Sequence, residues 1–152
     1  MNKRNHLFFV LISLLLASCA GLPPTQEMSD ARQALQAADD VDATQLLNKR
    51  MNYVKELVRD AEQNLAKHHY GLSRQSAMAA RDEANSIRTV TWAIRQARSA
   101  MDQLPPELVE LKKRLEPKLD SAITAARAGR DEDAIATSEQ IRQAIATVSD
   151  GK

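Results

Sequence analysis

Aromatic side chains are scarce in this sequence: two Phe, two Tyr and one Trp among 152 residues. A thick aromatic core is thereby excluded, and the abundant alanine points to helices packed closely around a thin one. Cysteine occurs once, so no disulfide framework can form. Neither sign of charge is in excess, with 21 Lys and Arg against 20 Asp and Glu. Nucleic acid is therefore not an expected partner, because phosphate binding draws on a basic surplus. Long apolar runs are lacking as well: the one candidate, Leu7 to Ala17, falls short of the roughly 20 residues that a spanning helix needs.

That short run has a definite setting. Lys3 and Arg4 precede it, and small residues follow it, which is the layout of a secretory signal peptide. Leu16-Ala17-Ser18-Cys19 resembles the lipobox of bacterial lipoproteins: a branched apolar residue, two small residues, then the cysteine. The resemblance implies cleavage before Cys19, a thioether from its sulfur to diacylglycerol, and further acylation of the freed amine. At about 0.8 kcal/mol per buried methylene, two or three chains anchor a protein where one would hold it only reversibly. The alternative is a secreted protein whose cysteine happens to follow the cleavage site, which would leave a stray thiol in an oxidising compartment. Ala20 rather than Asp follows the cysteine, and by analogy with enteric-type bacteria this implies the outer membrane, facing the periplasm, over the inner one.

Residues 1–18 are thus read as a signal peptide, 19–26 as a lipidated tether containing Pro23 and Pro24, and 27–150 as a single helical domain. Loss of Lys3 and Arg4 leaves 19 basic residues against 20 acidic ones. The apolar spacing is helical throughout. Met28, Ala31, Leu35 and Ala38 mark a short first helix capped near Ser29, ended by Asp39-Asp40-Val41-Asp42. Leu47, Met51, Val54, Val58, Ala61 and Leu65 form the heptad seam of a second, and Ile87, Val90, Ile94, Ala97, Met101 and Leu104 that of a third. His68 to Gly71 is the turn between them. Pro105-Pro106 stops the third helix and Pro106 opens a fourth, seamed by Leu108, Leu111 and Leu115, with a kink or restart expected at Pro117. After Gly129, Asp131 to Asp133 open a fifth with Ala134, Ser138, Ile141, Ile145 and Val148 on one face. Short turns make sequence neighbours antiparallel. The expected fold is all-α: an elongated antiparallel helical bundle of two hairpins plus the short first helix.

An internal echo runs at an offset of 61 positions. Ala61, Leu65, Ser73, Ala77 and Ala80 correspond to Ala122, Ala126, Ala134, Ser138 and Ile141. Duplication and the general likeness of alanine-rich hairpins both account for it, and two copies are too few for a solenoid. The lipobox, the Pro-Pro tether, Met28 to Leu35, and the run from Ala61 to Ala84 together resemble the bacterial lipoproteins of the domain-of-unknown-function 4398 family. The likeness covers residues 19 to 100. Members carry the domain alone or joined to an outer-membrane-protein-A-like peptidoglycan-binding domain, which is not read in this sequence. Their hairpin turn runs Gly, an acidic or amide residue, then Tyr; here His68 and His69 hold the first two places and only Tyr70 matches. The resemblance brings no catalytic residues.

Chemistry-bearing constellations are few. His68 and His69 would point about 100° apart on a helix, and no cysteine or acidic cluster completes a metal site. No nucleophile stands paired with a base, so no enzyme activity, catalytic residue, metal or cofactor is expected. Arg74, Arg81, Arg88 and Arg95 recur every seven residues, with Arg98 beside the end of the row. On a supercoiled helix they form one line. Either the row grips anions, such as peptidoglycan carboxylates, lipopolysaccharide phosphates or an acidic protein face, or it is a solvated stripe paired with carboxylates of neighbouring helices, the usual lot of charge rows. Trp92 lies half a turn from its helix's seam. Burial against the first or fourth helix is expected, the alternative being a partner anchor. The candidate partner-binding residues are therefore Arg74, Arg81, Arg88, Arg95 and Trp92, beside the lipidation site Cys19.

Two functional readings follow. The first is a membrane-anchored, non-catalytic structural or interaction lipoprotein that contacts envelope proteins or peptidoglycan. The second is a periplasmic carrier or chaperone for an apolar ligand or client chain, which requires a cavity that an alanine-rich core has little room for. The sequence leaves the partner and the oligomeric state open.

Overall fold

The computed structural model describes residues 22–149. Cys19, the stretch read as a signal peptide and the first three residues of the stretch read as tether lie outside the described residues. The elements are α1 (Thr25–Asp39), a single helical turn α2 (Ala43–Leu46), α3 (Asn48–Ala66), α4 (Tyr70–Asp102), a 3₁₀ turn (Pro106–Leu108), α5 (Val109–Arg127) and α6 (Asp131–Ser149). Every described element is helical, and the helices pack as a bundle.

The organising element is α4. Its 33 residues make a rod about 50 Å long at 1.5 Å per residue. Its buried stripe runs unbroken from Ser73 and Ala77 through Ile87, Val90 and Ile94 to Met101. No two-helix hairpin covers a rod of that length, so two sets of partners share it. α1 and α3 pack on its first half, α5 and α6 on its second. Polar contacts give the directions. Arg74 of α4 meets Glu27 at the start of α1, and Arg95 meets Asp42 just past its end, so α1 runs parallel to α4. Ser73 Oγ donates to the Ala61 carbonyl at 2.8 Å while Glu83 meets Arg50, so α3 runs antiparallel. Lys112 of α5 pairs with Asp102, at the far end of the rod. The molecule is two three-helix bundles joined end to end through one shared helix.

The first bundle is the thinner. Ala77, Ala80 and Ala84 of α4 are completely buried, opposite Met28, Ala31 and Ala38 of α1 and Met51, Val54 and Ala61 of α3. Methyl-sized side chains on α4 let three helices approach closely at native packing density. The second uses larger residues: Ile87, Ile94, Leu115, Leu119 and Ile141.

The two hairpin turns are built alike. After α3, His68 adopts a left-handed conformation (φ 59°). Its N–H bonds the Leu65 carbonyl at 3.0 Å and the His69 N–H bonds the Asn64 carbonyl at 2.8 Å. After α5, Gly129 (φ 74°) occupies the same place, with its N–H on Ala126 and the Arg130 N–H on Ala125, at 3.1 and 2.9 Å. Both are Schellman motifs, which satisfy carbonyls that the helix end leaves unpaired. They stand 61 positions apart, at the offset of the sequence echo.

Three local expectations are corrected. α1 starts at Thr25, not near Ser29: the Pro24 carbonyl accepts the Met28 N–H at 3.0 Å and Pro24 is itself buried, so helix reaches into the stretch read as tether. The second helix is preceded by a separate turn, α2, broken off at Leu47 (φ −125°). Pro117 does not restart the element; α5 is continuous from Val109 to Arg127. Pro117 is exposed, so the Lys113 carbonyl that it deprives of a helical donor lies on the solvent side, where water can serve it.

Candidate functional site

The arginine row lies along α4. Arg74 Nε is 2.6 Å from Glu27 Oε1, and Arg74 Nη2 donates to the Leu22 carbonyl at 3.1 Å. Glu27's hydrogen bond to its own backbone and the Arg74 guanidinium hold its carboxyl below the usual carboxylate range. Arg81 pairs with its neighbour Asp82, and Arg95 with Asp42. Asp42 adopts a left-handed backbone (φ 58°), a conformation that Asp tolerates better than most residues. Arg88 and Arg98 have neither an ion pair nor a side-chain hydrogen bond among the described residues. The row is thus mixed: three members are tied to carboxylates, and two are open.

Trp92 is 53% exposed, which corrects the expected burial against the first or fourth helix. The reason is angular. Val90, Thr91 and Ile94 take the faces of α4 that meet its partners, and Trp92 falls on the face left over. Arg88 and Arg95 sit four residues before it and three after, so all three side chains share one strip of surface. A half-exposed indole between guanidinium groups offers an apolar plane flanked by planar cations. Such a strip suits partners carrying carboxylates or phosphates next to a flat apolar or sugar surface.

Sequence reasoning missed the polar centre of the molecule, at the junction of the two bundles. Arg50 of α3 reaches three other helices. Its Nε donates to Glu83 of α4 at 2.8 Å, its Nη1 to the Ala126 carbonyl at the end of α5 at 2.9 Å, and its Nη1 and Nη2 to Asp131, the first residue of α6, at 2.5 and 2.9 Å. Ser86 Oγ donates to the same carboxylate. Burial by itself would lower the Arg50 pKa and raise that of Asp131. The hydrogen bonds between them, with those of Glu83 and Ser86, outweigh it, so the guanidinium is raised and the Asp131 carboxyl lowered. Both stay charged. The arrangement ties α3 to α4, α5 and α6 at one point. Its members lie 81 residues apart in sequence, and no local pattern links them.

Among the described residues no group of three or more His, Cys, Asp or Glu side chains is placed to hold a metal ion. No described helix is long and apolar enough to cross a membrane. His68 and His69 are exposed in the α3–α4 turn, where His68 Nδ1 lies 3.0 Å from the Tyr70 hydroxyl. No protein-family model matches the chain, and no curated protein or solved structure matches it either.

Proposed function

We propose that the protein is a membrane-anchored, non-catalytic lipoprotein of the bacterial outer membrane. Its helical module would hold envelope components, either a protein or peptidoglycan, through the outward face of α4. The anchor rests on the sequence: Leu16-Ala17-Ser18-Cys19 behind a basic start and an apolar run. Membership of the domain-of-unknown-function 4398 lipoproteins is part of the same reading.

The observation that carries the docking role is the placement of Trp92, half exposed and flanked on one strip by Arg88, which has no carboxylate partner, and by Arg95. Solvated charge rows are common; an exposed tryptophan within one is not, and Trp and Arg are the residues most enriched where binding energy concentrates.

Metabolic labelling with a clickable palmitate analogue tests the anchor, and a photo-reactive amino acid at position 92 tests the face. The expected result is label on the wild type and none on Cys19→Ser, with a position-92 adduct to one envelope component that disappears in Arg88→Glu. An unlabelled wild-type protein overturns the anchor. Adducts that are the same at position 92 and at exposed Gln75 overturn the docking face.

A further inference from the structure

Beside the junction, α2, the second half of α4 and the last turns of α5 enclose an open cleft of about 740 Å³, inside the size range of small-molecule sites. Thr91, Arg95, Arg98 and Asp102 recur along α4 at steps of three and four, so they form one wall. Asp42 and Arg127 come from the elements across from it.

The charges lining this cleft do not cancel. Asp42 is taken by Arg95, and Asp102 by Lys112 at 3.0 Å. Arg127 has a backbone partner, the Leu46 carbonyl at 3.3 Å, and Arg98 has none among the described residues. Two guanidinium groups therefore line one concavity with no carboxylate committed to either.

A second, independent observation lies in the same wall. Thr91 is completely buried, borders the cleft, and its hydroxyl has no hydrogen-bond partner among the described residues. A helical threonine ordinarily turns its hydroxyl onto the carbonyl of the preceding turn, as Thr89 does with Asn85 at 2.9 Å. Leaving such a group unpaired in the interior costs stability.

We infer that the cleft binds a small solute through an oxyanion, carboxylate or phosphate, gripped by Arg98 and Arg127, with the Thr91 hydroxyl, covered in the empty cleft, donating the third contact once the side chains over it part around the solute. Guanidinium forks match either anion in two-pronged geometry, and a neutral donor adds direction without further charge. Leu46 and Ile123, also in the lining, supply apolar surface for the rest of the solute. The inference goes beyond the anchored docking role and does not depend on it.

The test is an amide-resolved NMR titration of the full chain with inorganic phosphate, and separately with N-acetylglycine as a blocked carboxylate, at ionic strength held constant with sodium chloride. Saturable shifts are expected at Thr91, Arg98 and Arg127. Affinity should fall about fivefold or more in Arg98→Gln, Arg127→Gln and Thr91→Val, the loss of one hydrogen bond to an anion. Arg59→Gln on exposed α3 surface should leave it unchanged. Thr91→Val is nearly isosteric, and its unshifted spectrum outside the cleft checks that the fold is intact. The probe that binds more tightly identifies the anion as phosphate or carboxylate. Absence of saturation with both probes, shifts that chloride reproduces, or equal affinity in all three cleft variants would overturn the proposal.

Discussion

Arg50 and Asp131, 81 positions apart, meet as a two-pronged ion pair whose side chains are only 13% and 17% exposed. One belongs to the first hairpin and the other opens the second, so the pair fastens the two halves of the molecule. Removing the cation strands two carboxylates, Asp131 and Glu83, in a partly buried place. Arg50→Ala is expected to destabilise the fold by about 3 kcal/mol, read from urea unfolding followed by circular dichroism. A loss under about 1 kcal/mol would class the pair with ordinary surface ion pairs and refute the fastening role.

Stability should fall in acid, and Asp131 should be a main cause. Its folded-state pKa lies below its ordinary value of 3.8, so as the pH drops the unfolded chain takes up its proton first and gains on the folded one. The contribution is complete above that ordinary value and is lost as the pH falls through the folded one. Glu27, lowered by its backbone hydrogen bond and by Arg74, acts in the same direction. Urea midpoints measured from roughly pH 7 down to pH 2 should be flat near neutrality and then decline. Asp131→Asn should lie lower at neutral pH and decline less.

The two resolved glycines near the turns should respond oppositely to alanine. A Cβ meets nothing within 4 Å at either Gly71 or Gly129, so conformation alone decides. Gly129 has φ 74°, and Gly129→Ala should cost about 1 kcal/mol. Gly71 lies within α4, where Gly71→Ala should add about 0.5–1 kcal/mol. Thermal unfolding of both variants checks the signs.

Pro117→Ala should stabilise α5. The substitution restores a donor to the Lys113 carbonyl, and greater freedom of the unfolded chain offsets part of the gain. A net rise of about 1–2 kcal/mol is expected, measured by the same urea titration. A fall would mean that the helix is shaped around the proline.

The seams were the most legible part of the chain. Every apolar position expected from Leu47 to Ala61 and from Ile87 to Met101 is buried, because heptad spacing states directly which face meets a partner. The offset of 61 was also visible, and it locates two turns with the same hydrogen bonds. Spacing does not report what joins segments distant in sequence. Arg50 reads as one more surface cation on α3, and Asp131 as a helix-opening acid with a sufficient local reason to be there. The arginine row was legible as a line, but which members find carboxylates depends on where α1 ends. Trp92 was misplaced because a half-turn offset from the seam counts as buried or exposed according to how many helices surround α4 at that level.

Sharing one helix between two bundles gives assembly an order. α1 and α3 pack on each other and on α4, so all the apolar partners of the first bundle are present once residue 102 has left the site of synthesis. The second half of α4 then waits with Ile94, Ala97 and Met101 uncovered, and Arg50 waits with Glu83 alone, until α5 and α6 follow. A chain halted at Pro105 would hold a closed bundle and a bare apolar rod, which is the form most open to capture by chaperones or by a second copy.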